Sequence, residues 1–294
     1  MARIVIVGSG VVGLAIGEGF EEMGNRVMFY DKEESRVQKL LNLGMNATMD
    51  LDLVVPKSDF SFICVPTPNK NGSIDLSAVK EAVASISIRL RRTKKYHLLV
   101  IKSTVVPTST ERIIIPTIKE ITGANFEAHI GLCVNPEFLT EAHSSWTRKP
   151  SFAKTWYNQE TIVIGELDKR SGDTLESLYA PLKVPMVRTD LRTAEMIKYA
   201  SNCALASRIS YWNEMYYICR RLGINSDVVA EVVGKDHRIG EYGTVHGKAF
   251  GGKCLPKDLQ AFIDFCEQIG YQPKLLKAVH EINERIRLEM GVRE

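Results

Sequence analysis

The 294 residues carry 38 Lys and Arg against 35 Asp and Glu, a formal charge of +3, with 45% hydrophobic and 25% charged positions. That is an ordinary soluble globular balance, long enough for about two domains, and so small a charge excludes the broad basic footprint of a nucleic-acid binder. The chain enters a strand pattern at once, without an export signal, and no apolar run approaches a membrane span of about 18 residues, so a cytoplasmic protein with no membrane partner is expected.

Ile4 to Val7 is a short apolar run followed by the turn Gly8-Ser9-Gly10-Val11-Val12-Gly13 and a helical pattern through Leu14, Ile16, Phe20 and Met23. A second strand, Val27 to Tyr30, closes on Asp31. Each glycine answers a separate physical need, with a tight turn at Gly8, close approach of the backbone to a pyrophosphate at Gly10, and helix-on-strand packing at Gly13. Asp31 suits a ribose diol and repels a 2′-phosphate, so NAD is expected as cofactor in preference to NADP, with Lys32 and Arg36 as nearby cations.

Strand and helix signals then alternate: Phe60 to Val65, a helix from Leu76 to Leu90 announced by Asp75, Leu98 to Ile101, a helix from about Ser109 to Ile121, and Ile130 to Val134. The pattern predicts a mostly parallel, doubly wound α/β sheet with ligands beyond the carboxyl ends of its strands. Polar stretches fall at those ends: Pro66-Thr67-Pro68, Lys102-Ser103-Thr104, and Asn135 to Glu141. Trp146 to Tyr157 is the least regular part of the chain and is expected to loop over that edge. Thr161 to Ile164, a helix near Gly172 to Tyr179 and a strand near Val184 to Val187 complete a first domain spanning residues 1–189.

From Asp190 the texture becomes one long helical period through Ala194, Ile197, Cys203, Ile209, Trp212, Ile218 and Leu222, closed by Gly223. It reads as the spine of an all-helical domain over residues 190–294, and so continuous an apolar period predicts homodimerisation through this helix. Lys198 and Asn202 share one face of it, with Glu195 a turn earlier; spacing alone leaves a solvated pair and a functional pair both open. Asn225 to Gly234 is a short helix, His237 to Ala249 a loop, and Pro256 to Gly270 and Lys274 to Met290 two more helices.

Between them lies GKAFGGKCLPKD, Gly247 to Asp258. The six cysteines show no CxxC pair and no His-Cys cluster at metal spacing, so neither a disulfide nor a metal site is expected. Cys254 differs from the others in context, with Lys253 beside it, Lys257 three residues on and Pro256 in the first turn of a helix. Cations and a helix start favour a thiolate, although a small buried hydrophobe in a glycine-rich turn is also open on these residues.

The segments GSGVVG, VPTPNKNGSIDLS, KSTVVP, NPEFLTEA, AEMIKYASNCALASRISYWNEM and AFGGKCLPKD, in this order, resemble those of the UDP-glucose and GDP-mannose dehydrogenase family. The resemblance implies a Rossmann-like NAD domain followed by a helical central domain. It also implies NAD-dependent, four-electron oxidation of a nucleotide sugar, UDP-glucose or a related UDP-hexose first, from the C6 primary alcohol to the carboxylate. Cys254 would be the nucleophile of a thiohemiacetal and thioester. Asp258 would help activate water, Lys198 and Asn202 would stabilise the oxyanion, Glu141 would serve acid-base work or water positioning, and Thr104 would lie near the reacting hydroxyl. Gly8, Gly10, Val11, Val12, Gly13, Asp31, Arg36, Thr67, Thr104, Glu141 and Lys257 would surround NAD. The substrate would meet Phe138, Leu139, Glu141, Lys198, Asn202, Gly243, Gly247 and Gly251.

Three departures accompany the resemblance: Lys253 stands where a small serine is usual, EYGTVHGK differs from the usual loop, and so does Ser144 to Glu160. The family also continues past the position of Glu294 into a further α/β domain that binds the nucleotide. A non-catalytic NAD-binding and dimerisation module, or a two-electron hydroxyacid dehydrogenase of related fold, are the alternatives.

Overall fold

The computed structural model describes residues 1–70, 73–139, 146–147, 155–252 and 254–290. The chain divides into two compact units, one of Met1–Pro68, Ile74–Leu139 and Lys154–Lys198, the other of Asn69–Ser73, Thr140–Ala153 and Tyr199–Glu294.

In chain order the elements before the long helix are β1 (Arg3–Val7), α1 (Val11–Glu22), β2 (Arg26–Tyr30), α2 (Glu34–Asn42), β3 (Ala47–Thr48), α3 (Leu51–Val54), β4 (Phe60–Ile63), β5 (Asn69–Lys70), β6 (Ser73–Ile74), α4 (Ser77–Leu90), β7 (His97–Ile101), α5 (Ile115–Thr122), β8 (Ile130–Val134), β9 (Ile162–Glu166), α6 (Lys169–Tyr179) and β10 (Met186–Asp190). After them come α7 (Leu191–Leu222), α8 (Ser226–Gly234), α9 (Leu255–Gln268) and α10 (Lys274–Glu289).

Among the described residues the first unit holds an eight-stranded sheet in the order β10-β9-β8-β7-β4-β1-β2-β3. Every neighbouring pair is parallel except β8 with β9. Central strands such as RIVIV and HLLVI are nearly continuous apolar runs because both of their faces are covered. Val5, Val7, Ile63, Leu99 and Ile101 pack on one side with Val83, Ile86 and Ile118. Ile4, Ile6, Phe62, Leu98 and Val100 pack on the other with Ile16, Phe20 and Leu175. The alternation along each strand is the pleat itself, and each such buried side chain contributes on the order of 1.5–3 kcal/mol by leaving water.

The chain returns from β3 to β4 across β1, so the strand order reverses between β1 and β4, where a doubly wound sheet opens its ligand crevice. Three elements here were not expected: α2, β3 and α3. The helix ESRVQKLLN buries only Val37 and Leu40, too few apolar positions to register as a period. The β5–β6 pair has no alternation to betray it either. The helix expected from Ser109 opens as a π-helical turn, Thr110–Ile114, just before Pro116, whose missing N–H cannot continue the regular ladder. Most of the irregular Trp146 to Tyr157 stretch lies outside the described residues.

In the second unit α7 ends at Gly223, whose φ of 68° is left-handed, and Ile224 N–H reaches back to Cys219 O at 2.9 Å to close the cap. Ile209, Trp212, Phe250, Leu259, Phe262, Ile263, Val279 and Ile286 are buried there. Tyr199 stacks on Phe262 with centroids 5.1 Å apart, and Ser210 Oγ donates to Val279 O at 2.8 Å. Among the described residues no helix is long and apolar enough to cross a membrane.

Candidate active site

The cofactor side of the site begins where β1 ends. Gly8 takes φ 96°, and a Cβ there would come within 2.8 Å of Cys64 O on the neighbouring strand end, so conformation and space both demand glycine. A Cβ at Gly13 would overlap Gly8 O, which brings α1 close onto the turn. Gly10 is different. A Cβ there would meet nothing nearer than Arg36 Nη1 at 4.0 Å, and Gly10 starts α1 in an extended conformation with no side-chain cap, so the helix start is open. Val11, 74% exposed, and Val12 flank that opening. An uncapped helix start beside bare glycine is the electrostatic and steric cradle of a pyrophosphate.

Asp31, at the end of β2, accepts from Ser9 N (2.9 Å), Ser9 Oγ (2.7 Å) and Glu33 N (3.1 Å), with Arg36 Nη1 at 3.9 Å. Burial alone would push its carboxyl up. The Ser9 and Glu33 donors and the Arg36 guanidinium outweigh that and hold it below the usual carboxylate range. Asp31 is therefore a fixed anion with lone pairs to spare for a ribose diol. Arg36 is held by Glu33 at 2.8 Å, and Lys32 lies 3.9 Å from Glu81, so both cations that would favour a 2′-phosphate have carboxylate partners.

Thr67 is buried beyond β4, and Thr104 is half-buried beyond β7, where Ser103 Oγ donates to Val65 O at 2.7 Å and ties the two strand ends together. Beyond β8 the polar stretch is a buried network that sequence reasoning did not anticipate. Lys102 Nζ donates to Asn135 Oδ1 at 2.8 Å, which also accepts from Tyr179 Oη at 2.7 Å, while Asn135 Nδ2 donates to Val163 O at 2.7 Å. Burial pushes the Lys102 ammonium down to about 8, against the opposing field of Glu137.

Glu137 accepts from Leu139 N at 2.7 Å and pairs with Lys198 Nζ at 3.2 Å; the same ammonium donates to Glu137 O at 2.6 Å and lies 5.5 Å from the Phe138 ring. Lys198 is thus buried and oriented by the segment that precedes Glu141, itself outside the described residues. One turn earlier on α7, Glu195 accepts from Thr108 N (2.6 Å) and Thr110 N (2.8 Å), and Thr108 sits at φ 75°, a strained region for a β-branched residue.

In the second unit Cys254 occupies the N-cap position of α9, with Pro256 in its first turn. It is half-buried, and the other five cysteines are buried. Burial pushes Cys64 and Cys203 up to about 12 and raises Cys133 and Cys266 as well, so these thiols are held protonated and inert. Cys254 O accepts from Asp258 N at 2.9 Å. Asp258, 1% exposed, accepts from Asn202 Nδ2 at 2.6 Å and from Lys257 Nζ at 2.5 Å. Lys257, expected near NAD, therefore has its ammonium on Asp258. Its carbonyl accepts from Asn69 Nδ2 at 2.8 Å. Lys253 lies outside the described residues.

The loop before Cys254 is irregular but tied down. Gly243 and Gly247 take φ 87° and 77°; Gly243 N donates to Trp146 O at 2.7 Å, while around Gly251 a Cβ would meet nothing within 4 Å. Arg208 of α7 donates to Tyr242 O at 3.1 Å and Gly240 O at 3.2 Å. Arg208, Glu137 and Glu195 each lie within quoted or periodic stretches, yet nothing in their spacing announces a partner.

The sheet order, the glycine turn and Asp31 together define a dinucleotide-binding dehydrogenase domain, and its open, uncapped turn fits a dinucleotide. Residues 41–183 match the NAD binding domain model of the UDP-glucose/GDP-mannose dehydrogenase family, and residues 192–285 match that family's central domain model. The chain is 36% identical to UDP-glucose 6-dehydrogenase AglM of Haloferax volcanii over 96% of its own length and 69% of that protein's. It is 34% identical to UDP-glucose 6-dehydrogenase TuaD of Bacillus subtilis over 99% and 64%. A solved UDP-glucose dehydrogenase from Pyrobaculum islandicum superimposes with a TM-score of 0.88 at 32% identity, covering 99% of this chain and 72% of that one. The chain belongs to the UDP-glucose/GDP-mannose dehydrogenase family, and its cofactor is NAD. It spans 64–69% of the length of these two curated relatives.

Proposed function

We propose that this chain carries the cofactor and thiol machinery of a nucleotide-sugar 6-dehydrogenase that oxidises the C6 primary alcohol of a UDP-hexose, UDP-glucose first, to the carboxylate. The observation that carries the reading is Cys254: the one half-buried cysteine, capping α9 where the helix field favours a negative sulfur, with the Asn202–Asp258–Lys257 chain one turn on. In balance, one alcohol, two NAD⁺ and one water give one carboxylate, two NADH and three protons.

NAD, which Gly8 to Gly13, Asp31 and Thr67 would hold, would supply the hydride acceptor of both oxidations. The residues supply the rest. The Cys254 sulfur bonds to the aldehyde carbon, and the carbonyl oxygen takes the negative charge of the resulting thiohemiacetal. In this reading Lys198 and Asn202 stabilise that oxyanion, a donor role that suits an ammonium and an amide. Water then displaces the sulfur from the thioester with Asp258 drawing off its proton. Thr104 and Glu141 complete the reading as groups near the reacting hydroxyl and the water, with Phe138, Leu139, Gly243, Gly247 and Gly251 as substrate contacts. A cytoplasmic homodimer joined through α7 belongs to the same proposal.

The test is stoichiometry. With NAD and a panel of UDP and GDP sugars, the expected yield is two NADH per sugar consumed, abolished in Cys254→Ser. One NADH per competent substrate, or full turnover by Cys254→Ser, would remove the thiol from the mechanism.

A further inference from the structure

Two asparagines buried on different helices grip the backbone immediately before Cys254. Asn213 of α7, 0% exposed, donates from Nδ2 to Lys248 O at 3.0 Å and accepts at Oδ1 from Gly247 N at 2.9 Å. Asn283 of α10, 2% exposed, accepts from Phe250 N at 2.7 Å and donates to Phe250 O at 3.1 Å. Each amide thus uses its acceptor and one donor on the loop. A buried amide without such partners is destabilising, and an apolar side chain of similar shape would fill the space without that risk. What the amides add is direction: a planar group bonded at both ends admits one orientation of the loop backbone.

The need for direction is local. Gly247 and Gly252 sit at φ 77° and 79°, and Gly251 and Gly252 are exposed and offer no side chain to pack. Nothing intrinsic to those residues decides how the chain leaves Phe250 and reaches the N-cap of α9. Phe250 itself is buried.

We propose that Asn213 and Asn283 are positioning residues for Cys254, holding Gly247, Lys248 and Phe250 so that the thiol is presented in one orientation at the start of α9. The proposal rests on the reading of Cys254 as nucleophile. Its alkylation and amide-exchange readouts do not.

The experiment compares Asn283→Asp, Asn283→Ala and Asn213→Ala with Ser210→Ala. Ser210→Ala removes the α7–α10 hydrogen bond to Val279 O and leaves the loop alone. Two quantities are followed below the unfolding temperature of every variant: the rate of Cys254 alkylation by iodoacetamide, with Cys254→Ser as blank, and kcat against KM for NAD. A loosened loop should make the thiol easier to alkylate while lowering kcat by about 10- to 100-fold, with KM for NAD unchanged. Ser210→Ala should lower Tm and move neither rate. Asparagine variants that lose Tm yet keep both rates within twofold of wild type would overturn the proposal. Should every asparagine variant fail to fold, amide exchange in the wild type decides: slow exchange at Gly247 and Phe250 supports the clamp, and exchange as fast as at Gly251 overturns it. Retained turnover in Cys254→Ser would sink the nucleophile reading by itself, while alkylation and amide exchange still decide the clamp.

Discussion

Asn202 Nδ2 lies 2.6 Å from Asp258 Oδ2, so an amide of α7 and a carboxylate one turn past Cys254 form a single buried group. The other carboxylate oxygen holds Lys257 Nζ, which leaves Asp258 fixed at both oxygens and almost without water. Asp258→Asn keeps the shape and removes the charge. In the proposed mechanism it should lower kcat by about 10²- to 10⁴-fold at the hydrolytic step, so that an acyl adduct on Cys254 accumulates in the presence of NAD and sugar. Intact-protein mass spectrometry would detect it; steady turnover without adduct would count against the role of Asp258.

Glu195 gives a pH dependence of unusual sign. Burial raises its carboxyl from 4.5 to about 7, against the pull of the Thr108 and Thr110 donors and helped by Glu111, which is itself paired with Arg192. The folded chain therefore binds this proton more tightly than the unfolded chain. Its contribution to stability is full below about pH 4.5 and is lost as pH rises through about 7. Relative to Glu195→Gln, the wild type should lose on the order of 3 kcal/mol of unfolding free energy between those limits. Urea denaturation of both proteins across that range measures it, and parallel curves would show that Glu195 does not titrate there.

Asp31 is held as an anion by Ser9 and Glu33, so the preference for NAD should reside in it. Asp31→Ala is expected to weaken NADH binding by about 10- to 100-fold, the loss of charge-assisted hydrogen bonds, and to narrow the gap to NADPH. Fluorescence titration with both reduced cofactors decides; equal affinities in the wild type would contradict the reading.

Tyr211, Ile218 and Leu222 are exposed along one side of α7, seven and eleven residues apart in helical register. If the proposed homodimer uses that face, Ile218→Glu should yield a monomer by sedimentation velocity with the Tm of NADH-bound protein little changed. A wild-type monomer at micromolar concentration would end the idea.

What could be read from the chain before folding was whatever depends on neighbours in sequence. The strand, glycine turn, helix and Asp31 were legible because a tight turn, an anion at a helix start and an acid closing the next strand are local requirements. The long period of α7 was legible for the same reason. The helix α2 and the antiparallel entry of β9 were not, the first for want of apolar positions, the second because strand direction is settled by the partner strand.

The sequence by itself determined the strongly periodic elements, the cofactor turn, and the candidacy of Cys254 at the start of a helix. Only the tertiary structure decided what those residues face. Lys198 and Asn202 share one helical face, and spacing left both a solvated and a functional pair open; the fold buries them, against Glu137 and Asp258, 61 and 56 positions away. Phe250 and Asn283 meet across 33 positions, Thr108 and Glu195 across 87. A buried polar group must find a partner, but which one depends on how the sheets and helices close, and side-chain chemistry alone carries no record of that distance.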